Sequence, residues 1–203
     1  MKKRVKNNNI LIITLISLFV IIFVIVPVSF AIFKDNGFGN IAIIPIEGII
    51  MGSGSSTLGQ QIASSKDIVS FIQDANKNPQ IKAIILEINS PGGSPVASDE
   101  ISTAIKQSPK PVVSLIREVG ASGGYWVASA TEYSVANRMS ITGSIGVVSS
   151  YLEFSGLMEQ YGVGYERLVS GNSKDIGSPF KKLNNQEKQI LQKKINLIHN
   201  YFV

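Results

Sequence analysis

The sequence predicts an α/β fold with a largely parallel sheet. Three observations carry that prediction. Two apolar runs of strand character, Ile81–Ile88 and Pro111–Ile116, each lead into a glycine turn. Each turn opens onto a segment with helical apolar spacing. Strand-like and helix-like segments then keep alternating along the chain, the pattern of parallel strands joined by crossover helices.

The elements follow in order. Ile41–Ile46 is a β-rich run, and Gly48-Ile49-Ile50 continues it after a turn. Gly52–Thr57 is a flexible loop. Ile68, Phe71, Ile72 and Ala75 recur at helical spacing over residues 66–76, and Asn78-Pro79 closes that helix. The strand Ile81–Ile88 leads through Asn89-Ser90-Pro91-Gly92-Gly93 into an amphipathic helix, Val96–Ile105, with Val96 and Ile101 assigned to the core. The strand Pro111–Ile116 leads through Gly120–Gly124 into a helix reaching about Thr131. Short strands are expected near Ser134–Ala136 and Gly146–Ser149, a helix over Glu153–Tyr161 and a strand over Tyr165–Val169. Gly171–Pro179 is a polar loop. Asn184, with Glu187 three residues on, has the form of a capping box. The helix it opens carries Leu191, Ile195, Ile198 and Phe202 on one face. That helix is still periodic at Val203, so a continuation is expected.

Composition narrows the chemistry. There is no cysteine, so thiol nucleophiles, disulfides and cysteine-based zinc or iron–sulfur sites are excluded. The lone histidine, His199, excludes a multi-histidine metal site. No metal and no cofactor is expected. The chain has 203 residues and a net charge of +5. Lys2, Lys3, Arg4 and Lys6 supply most of that charge; without them 15 basic residues face 14 acidic ones. The body is nearly neutral, so nucleic acid drops out as a partner.

Residues 10–33 hold 24 residues without a charge, almost all apolar. A run of about 20 spans a bilayer as a helix. The basic residues 1–9 then lie in the cytoplasm, and the chain from Lys34 onward lies outside it. A linker at 34–40 joins this single-pass anchor to one domain, 41–203. The rival is a cleaved signal peptide, for which Ser29-Phe30-Ala31 is a small-x-small triplet. A secretory apolar region is usually about 7–15 residues, so a retained anchor in the cell membrane is favoured. Both readings put the domain outside the cytoplasm.

The two glycine turns suggest where chemistry resides. Ligands of α/β sheets bind at the carboxyl ends of the strands, where both turns lie. Ser90-Pro91-Gly92-Gly93 can expose backbone N–H groups of the kind that form an oxyanion hole. Gly120-Ala121-Ser122-Gly123-Gly124 sets a serine at a strand-to-helix turn, the logic of a nucleophile elbow. The plain alternative is two ordinary tight turns. A nucleophilic serine needs a base, and His199 sits on an apolar helix, where a surface or half-buried role is expected. A lysine can replace histidine when it is held neutral. Lys181-Lys182 and Lys193-Lys194 are read as solvated pairs, whereas Lys174 lies in a loop of small polar residues after a strand. Spacing alone leaves it one candidate among several. Tyr125 and Trp126 suit either a pocket or packing, and Glu87 suits either a solvent edge or a subunit contact.

Four segments together resemble the signal peptide peptidase A family in its short, single-repeat form. They are Asn89-Ser90-Pro91-Gly92-Gly93, Gly120-Ala121-Ser122-Gly123-Gly124-Tyr125, Thr142-Gly143-Ser144-Ile145-Gly146-Val147, and Ser170-Gly171 with Lys174-Asp175-Ile176-Gly177-Ser178-Pro179. The resemblance implies a Clp/crotonase-like fold of repeated β-β-α units behind one transmembrane helix. It implies Ser122 as nucleophile, Lys174 as general base, Ser144 as the group orienting the lysine, and Gly93 and Gly123 as oxyanion donors. It further implies a homo-oligomeric ring with the dyad shared between protomers. The implied substrates are remnant signal peptides and other unfolded hydrophobic peptides at the membrane. Two other readings remain: a truncated or inactive relative acting as a binding scaffold, and a crotonase-like acyl-CoA enzyme. The expected continuation past Val203 bears on the first of these.

Overall fold

The computed structural model describes residues 12–28, 39–54 and 61–203. The chain divides into two compact units, Met1–Asn40 and Ile41–Val203. In the first, residues 12–28 are helical and exposed, with a π-helical turn at Ile21–Ile25. Among the described residues no helix is long and apolar enough to cross a membrane. The basic start at 1–9, both ends of the expected span, the 29–31 triplet, most of the linker and the end of the 52–57 loop lie outside the described residues.

The second unit begins with β1 (Ile41–Glu47), β2 (Ile49–Met51), β3 (Ile62–Ser64), α1 (Ser65–Lys77), β4 (Ala83–Ser90) and α2 (Pro95–Lys106). It continues with β5 (Val112–Ala121), α3 (Gly123–Ser129), β6 (Tyr133–Ala136), β7 (Ile141–Gly143), α4 (Ser155–Gln160) and α5 (Asn185–Phe202). A five-stranded sheet runs in the order β1-β4-β5-β6, with β7 also on β5. Every pairing is parallel, as is that of β2 with β3. The expected α/β class is therefore present.

Alternation builds the core. Along β4 every second residue is buried, so Ile84, Leu86, Ile88 and Ser90 face one side. Ile44 and Ile46 from β1, and Val112 and Ile116 from β5, join them. Ile68 and Ile72 of α1, Ile101 and Ile105 of α2, and Val127 of α3 pack on that face. Burying one such side chain stabilises by about 1.5–3 kcal/mol. The helix starts are capped from the side chains: Ser64 accepts from Asp67 N–H, Ser94 from Ala97 N–H. Asn184 and Glu187 make the reciprocal capping box that the sequence predicts for α5.

Several expectations need correction. Val96 is 68% exposed while Ile101 is fully buried. Five residues turn a helix by about 140°, so the two cannot share one face. Phe71 is also exposed, at the mouth of a cleft beside Pro45 and Ile62. No strand forms at 146–149 or 165–169. A strand needs a hydrogen-bonded neighbour, and neither stretch has one among the described residues. β3 and β7, which do find partners, were not anticipated. Glu87 resolves as a half-buried group paired with Arg117 on the adjacent strand.

Candidate active site

Strand β5 is long enough to pair β6 at one end and β7 at the other. The β7 ladder ends at Ala121 opposite Gly143. One further bond, from Ser122 N–H to the Gly143 carbonyl at 2.8 Å, carries the ladder into the turn. The chain then reverses into α3, where Trp126 N–H reaches back to the Ser122 carbonyl at 2.9 Å. Ser122 spans this corner with φ +51° and ψ −121°. Such a conformation is costly for a residue with a side chain, by about 1–3 kcal/mol, and concentrates at functional sites. It is the strained elbow that stands a serine hydroxyl clear of the backbone.

The first glycine turn is built around this corner. The Ser90 hydroxyl, fully buried, donates to the Gly48 carbonyl at 2.6 Å and accepts the Gly92 N–H at 3.1 Å. Ile50 then bridges the turn: its N–H reaches the Gly92 carbonyl at 2.9 Å, and its carbonyl accepts Ser94 N–H at 2.8 Å. In a parallel bridge the residue between those two bonds turns its own N–H the other way. That residue is Gly93. Only glycine fits beside it, since a Cβ on Gly92 would lie 2.6 Å from Gly123 N and 2.8 Å from Ser122 Cβ. The N–H groups of Gly93 and Gly123 take no hydrogen bond among the described residues. They flank Ser122 at the wall of one cavity of about 130 Å³. Free N–H groups beside a raised hydroxyl are the arrangement that stabilises an oxyanion.

The other two expected site residues stand differently. Ser144 follows Gly143 directly and also has a positive φ, +54°. Lys174 is exposed, and its amine has no hydrogen bond or ion pair among the described residues. No bond joins either of them to Ser122. The loop carrying Lys174 is fixed by its neighbours. Asp175 takes a two-pronged bond from Arg167, at 2.5 and 2.8 Å, and an ion pair with Lys181 at 3.3 Å. Lys181 also pairs with Glu187, which is 1% exposed. Arg167 above all holds the Asp175 carboxyl well below the usual carboxylate range. The Lys181 ammonium, with the Asn184 N–H, lowers Glu187 likewise. The lysine loop is thereby tied to the first turn of α5. In the last turn of α5, Phe202 stacks on Trp126, ring centres 4.9 Å apart, beside Ser122. Glu187 and Phe202 are 15 residues apart, so the helix separates those two anchor points by about 22 Å. His199 is half-buried on α5, as expected.

Sequence reasoning missed three parts of this site. Ile50 acts through its backbone, which no side-chain pattern reveals. Ser90 gives a signal, a serine ending the buried phase of β4 at a glycine turn. Ile198 and Phe202 are visible as an apolar face, but their proximity to Ser122 is not. Among the described residues no cluster of metal-ligating side chains is present.

This fold, with a serine elbow under a glycine turn, defines an α/β domain of the Clp protease type, and residues 48–150 match the Clp protease model. Residues 104–203 match the model of peptidase family S49. A protein of Methanocaldococcus jannaschii, provisionally named a protease, is 36% identical over 152 residues, covering 74% of this chain and 49% of that one. One of Enterococcus faecium, provisionally named signal peptide peptidase A, is 30% identical over 164 residues, covering 79% and 48%. The chain belongs to peptidase family S49, the family of signal peptide peptidase A. It spans about half the length of these two relatives. Among solved structures, a membrane-bound stomatin-specific protease with a bound substrate peptide is 22% identical, with a TM-score of 0.44 over 55% of this chain and 47% of that one.

Proposed function

We propose that this chain is a membrane-anchored serine endopeptidase that cleaves remnant signal peptides and other unfolded hydrophobic peptides. The observation that carries the reading is the strained Ser122 elbow between the free N–H groups of Gly93 and Gly123. Ser122 Oγ attacks a peptide carbonyl while Lys174, in its neutral form, takes the proton. The oxyanion is held by the two glycine N–H groups. The protonated lysine then donates to the departing amine, and water releases the acyl group. Ser144 accepts from or donates to the lysine amine and so orients it. No metal or cofactor takes part in any of these steps.

The dyad is shared between protomers of a homo-oligomeric ring. Two observations support this: the Lys174 amine is unpartnered among the described residues, and its loop is anchored at the end of α5 remote from Ser122. The apolar run at 10–33 holds the domain at the outer face of the cell membrane, with residues 1–9 in the cytoplasm.

The test uses a serine-reactive fluorophosphonate on the detergent-solubilised chain. Labelling is expected at Ser122, lost in Lys174→Ala and weakened in Ser144→Ala. Mixing Ser122→Ala with Lys174→Ala chains should restore peptide cleavage, because each supplies what the other lacks. Labelling indifferent to Lys174→Ala rejects the lysine base. Absence of labelling in an assembled oligomer supports the second reading, a binding scaffold.

A further inference from the structure

The cavity at Ser122 has a wall that the proposed chemistry does not use. Gly93, Ser122 and Gly123 form one side of it. The rest is apolar, with Trp126, Val147 and Val148 joined by Ile198 and Phe202 from the far end of the chain. Phe202 lies nearly parallel to the Trp126 indole, 10° between planes, and the stacked pair lines one side of the cavity. Ile198 sits one helical turn before it, on the same face of α5.

We infer that this pocket receives the side chain of the residue whose carbonyl Ser122 attacks, and that Phe202 limits it to small aliphatic side chains. The inference rests on the peptidase reading above. The oxyanion donors fix where the carbonyl sits, and the cavity they share with Ser122 is the space beside that carbonyl. Its volume is about 130 Å³. An apolar cavity of about 150 Å³ holds one benzene ring. Here the scissile carbonyl occupies part of the space as well. A methyl or isopropyl side chain fits what remains, and a benzyl group does not. The lining offers no charged side chain to a polar residue. The helix that carries the start of the lysine-loop anchor thus also sets which peptides are accepted.

The test is the rate at which Ser122 is modified by peptidyl diphenyl phosphonates carrying a methyl, isopropyl or benzyl side chain at the reactive position. The detergent-solubilised full chain is used, with a small fluorophosphonate run in parallel. Methyl and isopropyl reagents should react at least about tenfold faster than benzyl, the scale of discrimination by pocket size. Phe202→Ala should raise the benzyl-to-methyl ratio about tenfold. Ile198→Phe, which fills the pocket instead, should lose isopropyl before methyl. Phe202→Leu serves where the alanine variant does not fold. A benzyl reagent reacting as fast as the methyl one, or a ratio moved by none of these variants, overturns the pocket assignment while fluorophosphonate labelling leaves the peptidase reading standing. Failure of the fluorophosphonate itself removes both.

Discussion

The amide of Ser122 donates to the carbonyl of Gly143, so the residue next to one left-handed serine, Ser144, holds the other in place. The two lie 22 positions apart in sequence, and the β5–β7 ladder, with this bond at its end, sets their registry. β7 has three residues, Ile141–Gly143, and this bond is its continuation into the elbow.

The strain at Ser122 predicts opposite effects on stability and activity. Ser122→Ala and Ser122→Gly both remove the hydroxyl and should abolish labelling. Glycine accepts the positive φ, so Ser122→Gly should be more stable than Ser122→Ala by about 1 kcal/mol. Urea unfolding of the two variants measures the difference. Equal stabilities would show that the turn stores no strain.

The approach of Gly123 to Ser98 predicts a rescue. A Cβ on Gly123 would meet the Ser98 hydroxyl oxygen directly. Gly123→Ala should therefore destabilise by about 1–3 kcal/mol. Ser98→Ala removes that oxygen, so the double variant should recover part of the loss, a coupling of about 0.5–3 kcal/mol. Thermal melts of the four proteins complete the cycle, and additive effects would contradict the contact.

Core and surface should respond very differently. Ile88 is fully buried and Leu168 is 99% exposed. Ile88→Ala should cost about 2–5 kcal/mol. Leu168→Ala should fall within about 0.5 kcal/mol of wild type. Denaturant midpoints test both.

The network at the lysine loop predicts a loss of stability in acid. Asp175 and Glu187 both have folded pKa values below their ordinary ones. The unfolded chain therefore takes up protons first as pH falls. The contribution is fully present above the ordinary carboxylate range, about 3.9–4.3, and is lost as pH drops below it. Melting temperatures between pH 7 and 3 should fall, and Glu187→Gln should fall less steeply, because it has one linked proton fewer.

What could be read from the sequence was whatever depends on nearby residues. β4, β5 and the starts of α2 and α5 follow from alternation, glycine turns and caps, each set within a few positions. The strands wrongly expected at 146–149 and 165–169 have the right side chains but no neighbour to pair with among the described residues, and pairing is a property of distant chain. The same limit hid β7, whose three residues carry little pattern until β5 lies beside them. In the site, Ser122 and the two glycine turns stood out because their chemistry is local. The bridge from Ile50 and the ring of Phe202 did not, because each arrives from far along the chain.

That dispersion has a consequence for how the site comes into being. Its corner is held from Gly48 and Ile50 on one side and from Gly143 and Phe202 on the other. During synthesis Ser122 leaves the ribosome long before Gly143 and Phe202 do. Until they arrive, the serine has no left-handed turn to occupy and remains an ordinary hydroxyl. On the proposed chemistry, the growing chain is thus silent toward itself and its neighbours until β7 and α5 have reached their places.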